Sequence, residues 1–274
     1  MSTKYNDRNM TKTVLTIAGS DSGGSAGIQA DLKTFEARGV FGTSAITILT
    51  AQDTRRVHAA QPVAEAFIEA QIRAVLDDIG ADAVKTGLLA RVGVVQLVAQ
   101  VLPEYHIKTI VVDPVMLDGY GKVFVSAETI DAYRNELFPL AKIITPNLDE
   151  ARILTGQAIE SADNMKDAAR ALHDLGPEAV LLKGGHLPDD GEMIDLLYDG
   201  DAFHELRSPR LTVDNPHGVG CTLASAIAAE LAKDQELLAA VTIAQRYLHR
   251  ALAASPKIGS GRSPVLHTVG RPPT

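Results

Sequence analysis

The stretch V-L-T-I-A-G-S-D-S-G-G-S-A-G, residues 14–27, is the most informative part of the sequence because it joins a short apolar run to a glycine-rich segment. Residues 14–18 are continuously apolar or β-branched rather than alternating, as in a strand that is covered on both faces of a parallel sheet. A helical pattern follows over residues 28–37. A strand, a glycine-rich connection and a helix in this order predict an α/β fold.

The same alternation continues along the rest of the chain. Further strands are predicted over residues 43–49, 81–85, 109–112, 142–145 and 179–183, and helices over residues 64–76, 92–102, 221–232 and 236–253. Residues 193–198 and 202–206 flank the turn D-G-D and predict a hairpin. No linker rich in Pro, Gly or Ser divides the pattern. We therefore expect a frayed leader over residues 1–12 and one domain over residues 13–274, with helices on both faces of a mainly parallel sheet.

The composition excludes several classes of function. The chain has 274 residues and a single cysteine, Cys221, which excludes an intramolecular disulfide and any multi-cysteine zinc or iron–sulfur site. A formal net charge of −8 disfavours non-specific binding to nucleic acid or to an anionic membrane. The apolar runs are shorter than the ~20 residues of a membrane-spanning helix, and residues 1–12 lack the apolar segment of a signal peptide. We therefore expect a cytoplasmic protein that binds neither nucleic acid nor membrane.

Glycine-rich or polar clusters follow most of the predicted strands. Ligands of open parallel sheets bind beyond the carboxyl ends of the strands, so we expect these clusters to meet at one edge of the sheet. The first cluster, residues 19–27, holds four glycines and Asp21 but matches neither G-x-G-x-x-G nor a P-loop. A plain connection does not need so many glycines, which favours close approach of the backbone to a small ligand.

A second pair of glycines, Gly218 and Gly220, precedes the apolar run of a predicted helix. Glycines leave the backbone N–H groups accessible, and the positive end of the helix dipole adds to them. The segment is therefore suited to hold a transferring phosphoryl group. The same dipole favours a lowered thiol pKa for Cys221. An ordinary helix cap and an inert core cysteine explain the same residues.

Three further clusters each admit two interpretations. Asn147 and Glu150 are suited to orienting metal-bound phosphates, but helix capping by Asn147 with acidic residues in the first turn explains them as well. Lys183 precedes two glycines and is either a polyphosphate contact or a solvated lysine that begins a loop. Asp113 precedes a proline and is either a magnesium-facing carboxylate or part of a turn. No histidine pair or G-x-S-x-G motif indicates zinc or serine-hydrolase chemistry.

Seven motifs stand in order along the chain. They are T-I-A-G-S-D-S-G-G-S-A-G-I-Q-A-D-L-K-T-F (16–35), T-A-Q-D-T (50–54), D-P-V-M (113–116), T-P-N-L-D-E-A (145–151), L-L-K-G-G-H (181–186), H-G-V-G-C-T-L (217–223) and G-S-G-R-S-P-V-L-H (259–267). Together they resemble the bacterial hydroxymethylpyrimidine/phosphomethylpyrimidine kinases of the ribokinase-like superfamily, over about residues 13–267. The resemblance implies a ribokinase-like three-layer αβα sandwich and a homodimer. It also implies an enzyme of thiamine biosynthesis that uses ATP and Mg²⁺ to phosphorylate 4-amino-5-hydroxymethyl-2-methylpyrimidine to its monophosphate and then to the diphosphate.

The resemblance also implies roles for single residues. Cys221 takes the position of the general base, and the backbone N–H groups of Gly218, Val219 and Gly220 face the phosphoryl group in transfer. The residues implied to contact ATP are Asn147 and Lys183. The residues implied in the magnesium network are Asp113 and Glu150. The residues expected to line the pyrimidine pocket are Gly19, Asp21, Ala26, Asp31, Gln52 and Leu88.

The chain departs from the family pattern at several positions. Leu88 replaces a methionine of the apolar wall, Asp53 replaces an asparagine, and Val219 and Pro216 replace threonines. D-G-Y-G replaces A-K-S-G at residues 118–121, so a lysine able to reach a phosphate is lost and the second phosphorylation is the step most affected. Pyridoxal/pyridoxine kinase of the same branch is the alternative activity. A non-catalytic pyrimidine-binding regulator is the alternative from another class of function.

Overall fold

The computed structural model describes residues 11–117, 123–185, 191–213 and 215–269. Its strands are β1 (Thr13–Asp21), β2 (Phe41–Gln52), β3 (Val57–Pro62), β4 (Ala83–Thr86), β5 (Ile110–Val112), β6 (Ile143–Ile144), β7 (Val180–Leu182), β8 (Glu192–Tyr198), β9 (Phe203–Pro209), β10 (Pro216–His217) and β11 (Ser263–Pro264). Nine strands form one sheet in the order β3-β2-β1-β4-β5-β6-β7-β8-β9. The pairs from β2 to β7 are parallel, whereas β3, β8 and β9 pair antiparallel at the two edges.

Helices cover both faces of the sheet. They are α1 (Gly27–Ala37), α2 (Glu65–Asp78), α3 (Val92–Glu104), α4 (Ala127–Ala132), α5 (Leu148–Thr155), α6 (Ala162–His173), α7 (Val219–Ala232) and α8 (Leu237–Ala253), and short π and 3-10 turns (Tyr133–Leu137 and Phe138–Leu140) follow α4. One apolar core packs α2 to α6 against one face of the sheet, and a second packs α1, α7 and α8 against the other. This arrangement confirms the predicted three-layer αβα sandwich with a mainly parallel sheet.

Strand β1 shows why a continuous apolar run forms the centre of this sheet. Leu15 and Ile17 pack into the first core and Val14 packs into the second, and all three side chains are fully buried. Because successive side chains of a strand point to opposite faces, a strand between two helical layers needs apolar residues at every position. The run at residues 14–18 meets this requirement except at Thr16, whose hydroxyl donates a hydrogen bond to Asp31.

Several elements lie outside the predicted ones, among them β3 and α6. All six residues of β3 are exposed because it pairs with β2 at an open edge of the sheet, so neither of its faces leaves a hydrophobic period in the sequence. Helix α6 does bury residues at helical spacing, namely Met165, Ala168, Ala169 and Leu172. Two of these four are alanines, which weaken the apolar signal.

Some expectations concern residues that the structure does not describe. Most of the expected leader, the D-G-Y-G segment at residues 118–121 and His186 of the L-L-K-G-G-H motif lie outside the described residues. Within the described ranges, no helix combines the length and the apolarity that a membrane crossing requires.

Among the described residues, one ion pair has both side chains fully buried. Lys85 of β4 and Asp31 of α1 are fully buried, and Lys85 Nζ is 2.9 Å from each oxygen of the carboxylate. Asp31 also accepts hydrogen bonds from Thr16 Oγ1 of β1 and Ser225 Oγ of α7, each at 2.7 Å. Burial lowers the pKa of Lys85, but the Asp31 carboxylate and further acidic groups outweigh it and hold that pKa above its ordinary value of 10.5. One carboxylate therefore joins β1, α1, β4 and α7.

We predict that Lys85→Met lowers the free energy of unfolding by about 3–5 kcal/mol, because it leaves the Asp31 carboxylate buried without its counter-charge. Lys142→Met is the matched control, since Lys142 pairs with Glu178 at the surface, where the two side chains are 35% and 61% exposed. Removing that pair is expected to cost less than about 1 kcal/mol. Urea unfolding of the three proteins measures both effects. Equal losses in the two variants would contradict the structural role of the buried pair.

Candidate active site

The carboxyl ends of the parallel strands open into a cavity of about 630 Å³. Its walls include the segments that follow β1, β5, β6 and β7 and the start of α7, together with residues of β8, β9 and α8. The predicted site residues that line it are Ala26, Asp113, Asn147, Glu150, Lys183, Gly218, Val219, Gly220 and Cys221. The structure thus places the groups expected for ATP, metal and phosphoryl binding around one space.

The glycine loop, residues 218–221, presents backbone N–H groups at the start of α7. Gly218 has a φ of 82°, and a Cβ at this position would lie 1.7 Å from the Ser25 carbonyl oxygen, so only glycine fits. No described side chain caps the helix, and its first turn holds no acidic residue. Uncapped N–H groups and the dipole of a 14-residue helix together favour an anion at this point.

Lys183 and Asp113 form an ion pair beside the glycine loop. Lys183 Nζ is 3.1 Å from Asp113 Oδ1, and the two side chains are only 16% and 3% exposed. A Cβ on Gly220 would lie 3.2 Å from that ammonium, so the loop and the ammonium are in close proximity. Burial lowers the pKa of Lys183, but Asp113 and Glu150 raise it above 10.5 overall. Lys183 is therefore a charged, nearly buried group and not the solvated lysine of the alternative interpretation.

The start of α5 confirms the helix cap and places Asn147 and Glu150 at the cavity. Asn147 Oδ1 accepts a hydrogen bond from the Glu150 N–H at 2.9 Å, and Glu150 Oε2 accepts one from the Asn147 N–H at 2.8 Å, which is a reciprocal capping box. Both residues also line the cavity. Burial raises the pKa of Glu150 to about 7, although Lys183 opposes the rise. A cation near this carboxyl would favour its ionised form.

Cys221 is the last residue of the glycine loop, and its side chain is a thiol. Burial raises its pKa from the ordinary 9.0 to about 11, while the ammonium of Lys85 opposes the rise. The position at a helix start leads to the opposite expectation, a lowered pKa, but burial, together with the carboxylates of Asp31 and Asp113, raises it. At neutral pH Cys221 is therefore protonated.

Three residues expected in a pyrimidine pocket have distinct surroundings. A Cβ on Gly19 would lie 2.9 Å from Ile48 Cγ2 and 3.4 Å from Leu88 Cδ2, so Gly19 and Leu88 are neighbours at an apolar surface. The Asp21 carboxylate accepts hydrogen bonds from the N–H groups of residues 23, 25 and 26 at 2.7–3.0 Å. Asp21 therefore holds the shape of the loop between β1 and α1.

The structure corrects the expectation that Asp31 lines the pocket. Its side chain is fully buried in the pair with Lys85, and both of its oxygens accept hydrogen bonds from groups of this chain. A motif match gives the position of a residue along the chain but not the direction of its side chain. On helix α1, the Asp31 side chain points towards the sheet, where it accepts a hydrogen bond from Lys85, a residue for which the sequence predicts no role.

Gln52 contacts His217, to which the sequence assigns no role. Gln52 Nε2 lies 3.0 Å from His217 Nε2, and that ring nitrogen lies 3.7 Å from Asp21 Oδ2. His217 lines the cavity, and its position directly before Gly218 is the sequence signal that points to it. Thr145 is a second such residue, since its hydroxyl donates to Asp113 Oδ1 at 3.0 Å.

Residues 21–266 match the family described as phosphomethylpyrimidine kinase. The chain belongs to this family. A hydroxymethylpyrimidine/phosphomethylpyrimidine kinase of Rhizobium meliloti is 47% identical over 94% of this chain and 97% of the relative. The thiamine biosynthetic bifunctional enzyme TH1 of Arabidopsis thaliana is 48% identical over 94% of this chain, but the chain spans only about half of that relative, 50% of its length.

Solved structures of kinases share the fold. A pyridoxal kinase from Staphylococcus aureus, in complex with AMP-PCP and pyridoxal, has a TM-score of 0.86 at 35% identity and covers 94% of each chain. A phosphomethylpyrimidine kinase from Clostridium difficile has a TM-score of 0.79 at 41% identity, over 88% of this chain and 99% of that one. These similarities confirm the family resemblance and the ribokinase-like fold.

Cys221 is the only cysteine of the chain, so its titration can be followed by alkylation. With a pKa near 11, the thiolate fraction of the folded protein grows about tenfold per pH unit from about pH 7 to pH 10. The rate of alkylation by iodoacetamide, followed by mass spectrometry, should rise by the same factor without a plateau in that range. The protein unfolded in urea is the control and should level off near the ordinary pKa. A plateau of the folded protein below about pH 8 would show a lowered pKa instead.

Proposed function

We propose that the protein is a hydroxymethylpyrimidine/phosphomethylpyrimidine kinase. It transfers the terminal phosphoryl group of ATP to the hydroxymethyl oxygen of 4-amino-5-hydroxymethyl-2-methylpyrimidine, and then phosphorylates the monophosphate to the diphosphate for thiamine biosynthesis. The observation that carries the proposal is the single cavity in which the glycine loop, the Lys183 ammonium and the Asp113 carboxylate meet. The names of the curated relatives support the pyrimidine as the acceptor.

The polar groups that line the cavity position the two substrates and stabilise the charge of the phosphoryl group in transfer. Phosphoryl transfer through a loose transition state leaves little covalent chemistry to the protein, so catalysis depends on positioning and electrostatic stabilisation. The N–H groups of the glycine loop donate to the oxygens of the phosphoryl group in transfer. The Lys183 ammonium balances phosphate charge of ATP from the same side, and Asn147 borders the nucleotide.

Cys221 has a limited part in proton transfer. As a protonated thiol it can donate a hydrogen bond to an incoming oxygen, and only its small thiolate fraction can accept the hydroxymethyl proton. In a loose transition state the nucleophile forms little bond to phosphorus, so its proton need not leave early. The second step uses an anionic phosphate oxygen as nucleophile, which needs no base. The general-base role of Cys221 is therefore confined to the first step.

Mg²⁺ fits the carboxyl groups of the cavity. Across the described ranges, no group of three or more His, Cys, Asp or Glu side chains is arranged to hold a metal on its own. Mg²⁺ commonly binds one or two carboxylates together with substrate phosphates and waters. Asp113 and Glu150 are two carboxyl groups that share one ammonium, Lys183, and so can accept further positive charge. When bound, Mg²⁺ neutralises charge on the phosphates of ATP.

Phosphorylation of pyridoxal is the second candidate activity. It is favoured by the pyridoxal kinases among the structural relatives, one of which was solved with AMP-PCP and pyridoxal. Pyridoxal also carries a hydroxymethyl group on an aromatic nitrogen ring. One phosphoryl site can therefore serve either ring, and the ring pocket decides between them.

The family resemblance and the composition also support proposals for the oligomeric state, the location and the domain organisation of the protein. We infer a homodimer from the family resemblance, and a cytoplasmic protein that does not bind nucleic acid from the composition. The formal net charge of −8 supports the latter. The single domain over residues 13–274 is supported by two apolar cores that share one continuous sheet.

The proposal is tested by incubating the purified protein with MgATP and, separately, the pyrimidine alcohol, its monophosphate and pyridoxal. ADP release and product mass should show the pyrimidine monophosphate and then the diphosphate, with a higher kcat/KM for the pyrimidine than for pyridoxal. Lys183→Met should lower turnover by roughly 100-fold or more, since it removes a charge that faces the phosphates. Lys166→Met, at a surface position, is the control. No ADP with the pyrimidine would overturn the proposal, and turnover of pyridoxal alone would establish the second candidate.

Glu150→Gln tests the magnesium assignment because glutamine keeps the capping box and removes only the charge. We expect the Mg²⁺ concentration for half-maximal activity to rise about tenfold or more, with no loss of thermal stability. Asp149→Asn is the matched control, since Asp149 lies in the same helical turn but its side chain is 46% exposed and pairs with Arg152. An unchanged Mg²⁺ dependence in Glu150→Gln would remove Glu150 from the metal site.

A further inference from the structure

His217 lies between the glycine loop and the ring pocket, and the proposed mechanism does not use it. It belongs to β10 and directly precedes Gly218. Its imidazole is only partly exposed, and Nε2 lies 3.0 Å from Gln52 Nε2 and 3.7 Å from Asp21 Oδ2. The contact thus reaches from the phosphoryl side of the site to a residue expected to bind the pyrimidine.

The chemistry of this contact fixes the state of the histidine. In the structure the Gln52 amide turns its nitrogen towards His217 Nε2. An amide nitrogen can only donate a hydrogen bond, so in this arrangement Nε2 accepts, and the ring is neutral with its proton on Nδ1. The charged groups that face the ring agree with this state. Burial and the guanidinium of Arg262, which donates to the Pro216 carbonyl beside it, lower the pKa of His217, while Asp21 opposes the lowering.

The contact also fixes the orientation of the Gln52 amide. With Nε2 held by the imidazole, Oε1 occupies the other end of the amide. Thr50 Oγ1 lies 3.4 Å from Oε1, but it also lies 2.9 Å from the Ser20 carbonyl. A hydroxyl has one proton, and the shorter contact takes it. Gln52 Oε1 therefore keeps its capacity to accept a hydrogen bond from a ligand.

This orientation distinguishes the two candidate rings. In the pyrimidine, the ring carbon beside the one that bears the hydroxymethyl group carries an amino group, which donates hydrogen bonds. In pyridoxal, the corresponding carbon carries a formyl group, which only accepts them. Gln52 Oε1 attracts the amino group and repels the formyl oxygen, whereas an amide turned by 180° would do the reverse.

We propose that His217 is a positioning residue that selects the aminopyrimidine over pyridoxal by holding the Gln52 amide with its carbonyl oxygen available to the ring. The inference rests on the proposed function, since it assumes that the ring binds beside Gln52. One mismatched hydrogen bond in a partly buried site changes affinity by about tenfold to a hundredfold, which sets the size of the expected effect.

The test compares the dissociation constants of the pyrimidine alcohol and pyridoxal, measured by calorimetry at about pH 8, where the imidazole is neutral. His217→Gln keeps an acceptor at similar reach and should leave the ratio of the two constants within about threefold. His217→Arg only donates, so it should turn the amide and lower the preference for the pyrimidine by about tenfold or more. Arginine is chosen because a lysine would form an imine with the aldehyde. His204→Arg, at a surface histidine paired with Asp199, is the control.

A structural role alone would weaken both rings equally in His217→Arg, and an unchanged ratio would overturn the inference. Wild-type protein that binds the two rings equally, or binds neither, would also overturn it. The proposed function is judged separately, by turnover of the wild type with MgATP. An altered affinity ratio without turnover would uphold the role of His217 while the kinase assignment failed.

A second measurement covers the case in which His217→Arg does not fold. Protonation of His217, whose pKa is lowered below the ordinary 6.5, makes Nε2 a donor, so the preference of the wild type for the pyrimidine should fall as the pH is lowered from about 8 to the lowest pH at which the protein stays folded. The free ligands titrate identically with every protein. The fall should therefore be smaller in His217→Gln, and parallel profiles for the two proteins would overturn the inference.

Discussion

The carboxylate of Asp31 is the point on which the positions of the other elements depend. It is buried between the sheet and the helices and accepts hydrogen bonds from Thr16, Lys85 and Ser225. Ser225 lies one helical turn after Cys221 on the same face of α7, so this bond fixes the start of the helix against β1 and β4. A buried ion pair contributes little net stability, but it tolerates few alternative arrangements because each unpaired charge is costly. The anion site of the glycine loop is therefore held by a polar contact beneath it.

The site binds negative charge within a protein that is itself acidic. Lys183 is paired with Asp113, and the nearby Glu150 is a further acidic group, so side chains alone do not provide a positive pocket. The compensating elements are the N–H groups at the start of α7, which are fixed by the backbone and need no counter-ion. Backbone donors of this kind also require little reorganisation during phosphoryl transfer.

The sequence was most informative where burial leaves a periodic signal. The strands between two helical layers were predictable because residues 14–18 of β1 are apolar at every position except Thr16. Strand β3 was not predictable, because both of its faces are exposed. The rule that ligands bind beyond the carboxyl ends of parallel strands also predicts that Asp113, Asn147 and Lys183 lie at one edge of the sheet. Distances between residues far apart in the chain were beyond such reasoning. The Asp31–Lys85 pair spans 54 positions, and its formation reverses the role assigned to Asp31.

The same limit applies to electrostatics and to the ring pocket. The position of Cys221 at a helix start was readable from the sequence, but the sign of its pKa shift depends on how deeply the thiol is buried. His217 is the first residue of the motif H-G-V-G-C-T-L, yet its partner Gln52 lies 165 positions away. Local pattern thus indicated which segments form the site, and packing decided what each side chain does there.

The close approach of Gly218 to the Ser25 carbonyl has a consequence for the ancestry of the site. Backbone meets backbone at this point, so Gly218 cannot gain a side chain, and neither the glycine loop nor the loop between β1 and α1 can shift its course, unless the other loop yields. Variation in one loop is then viable only in the presence of a compensating change in the other. Lineages that diverge in the ring they phosphorylate are accordingly expected to inherit the two loops as a unit, and to alter specificity through residues such as Gln52 that border both.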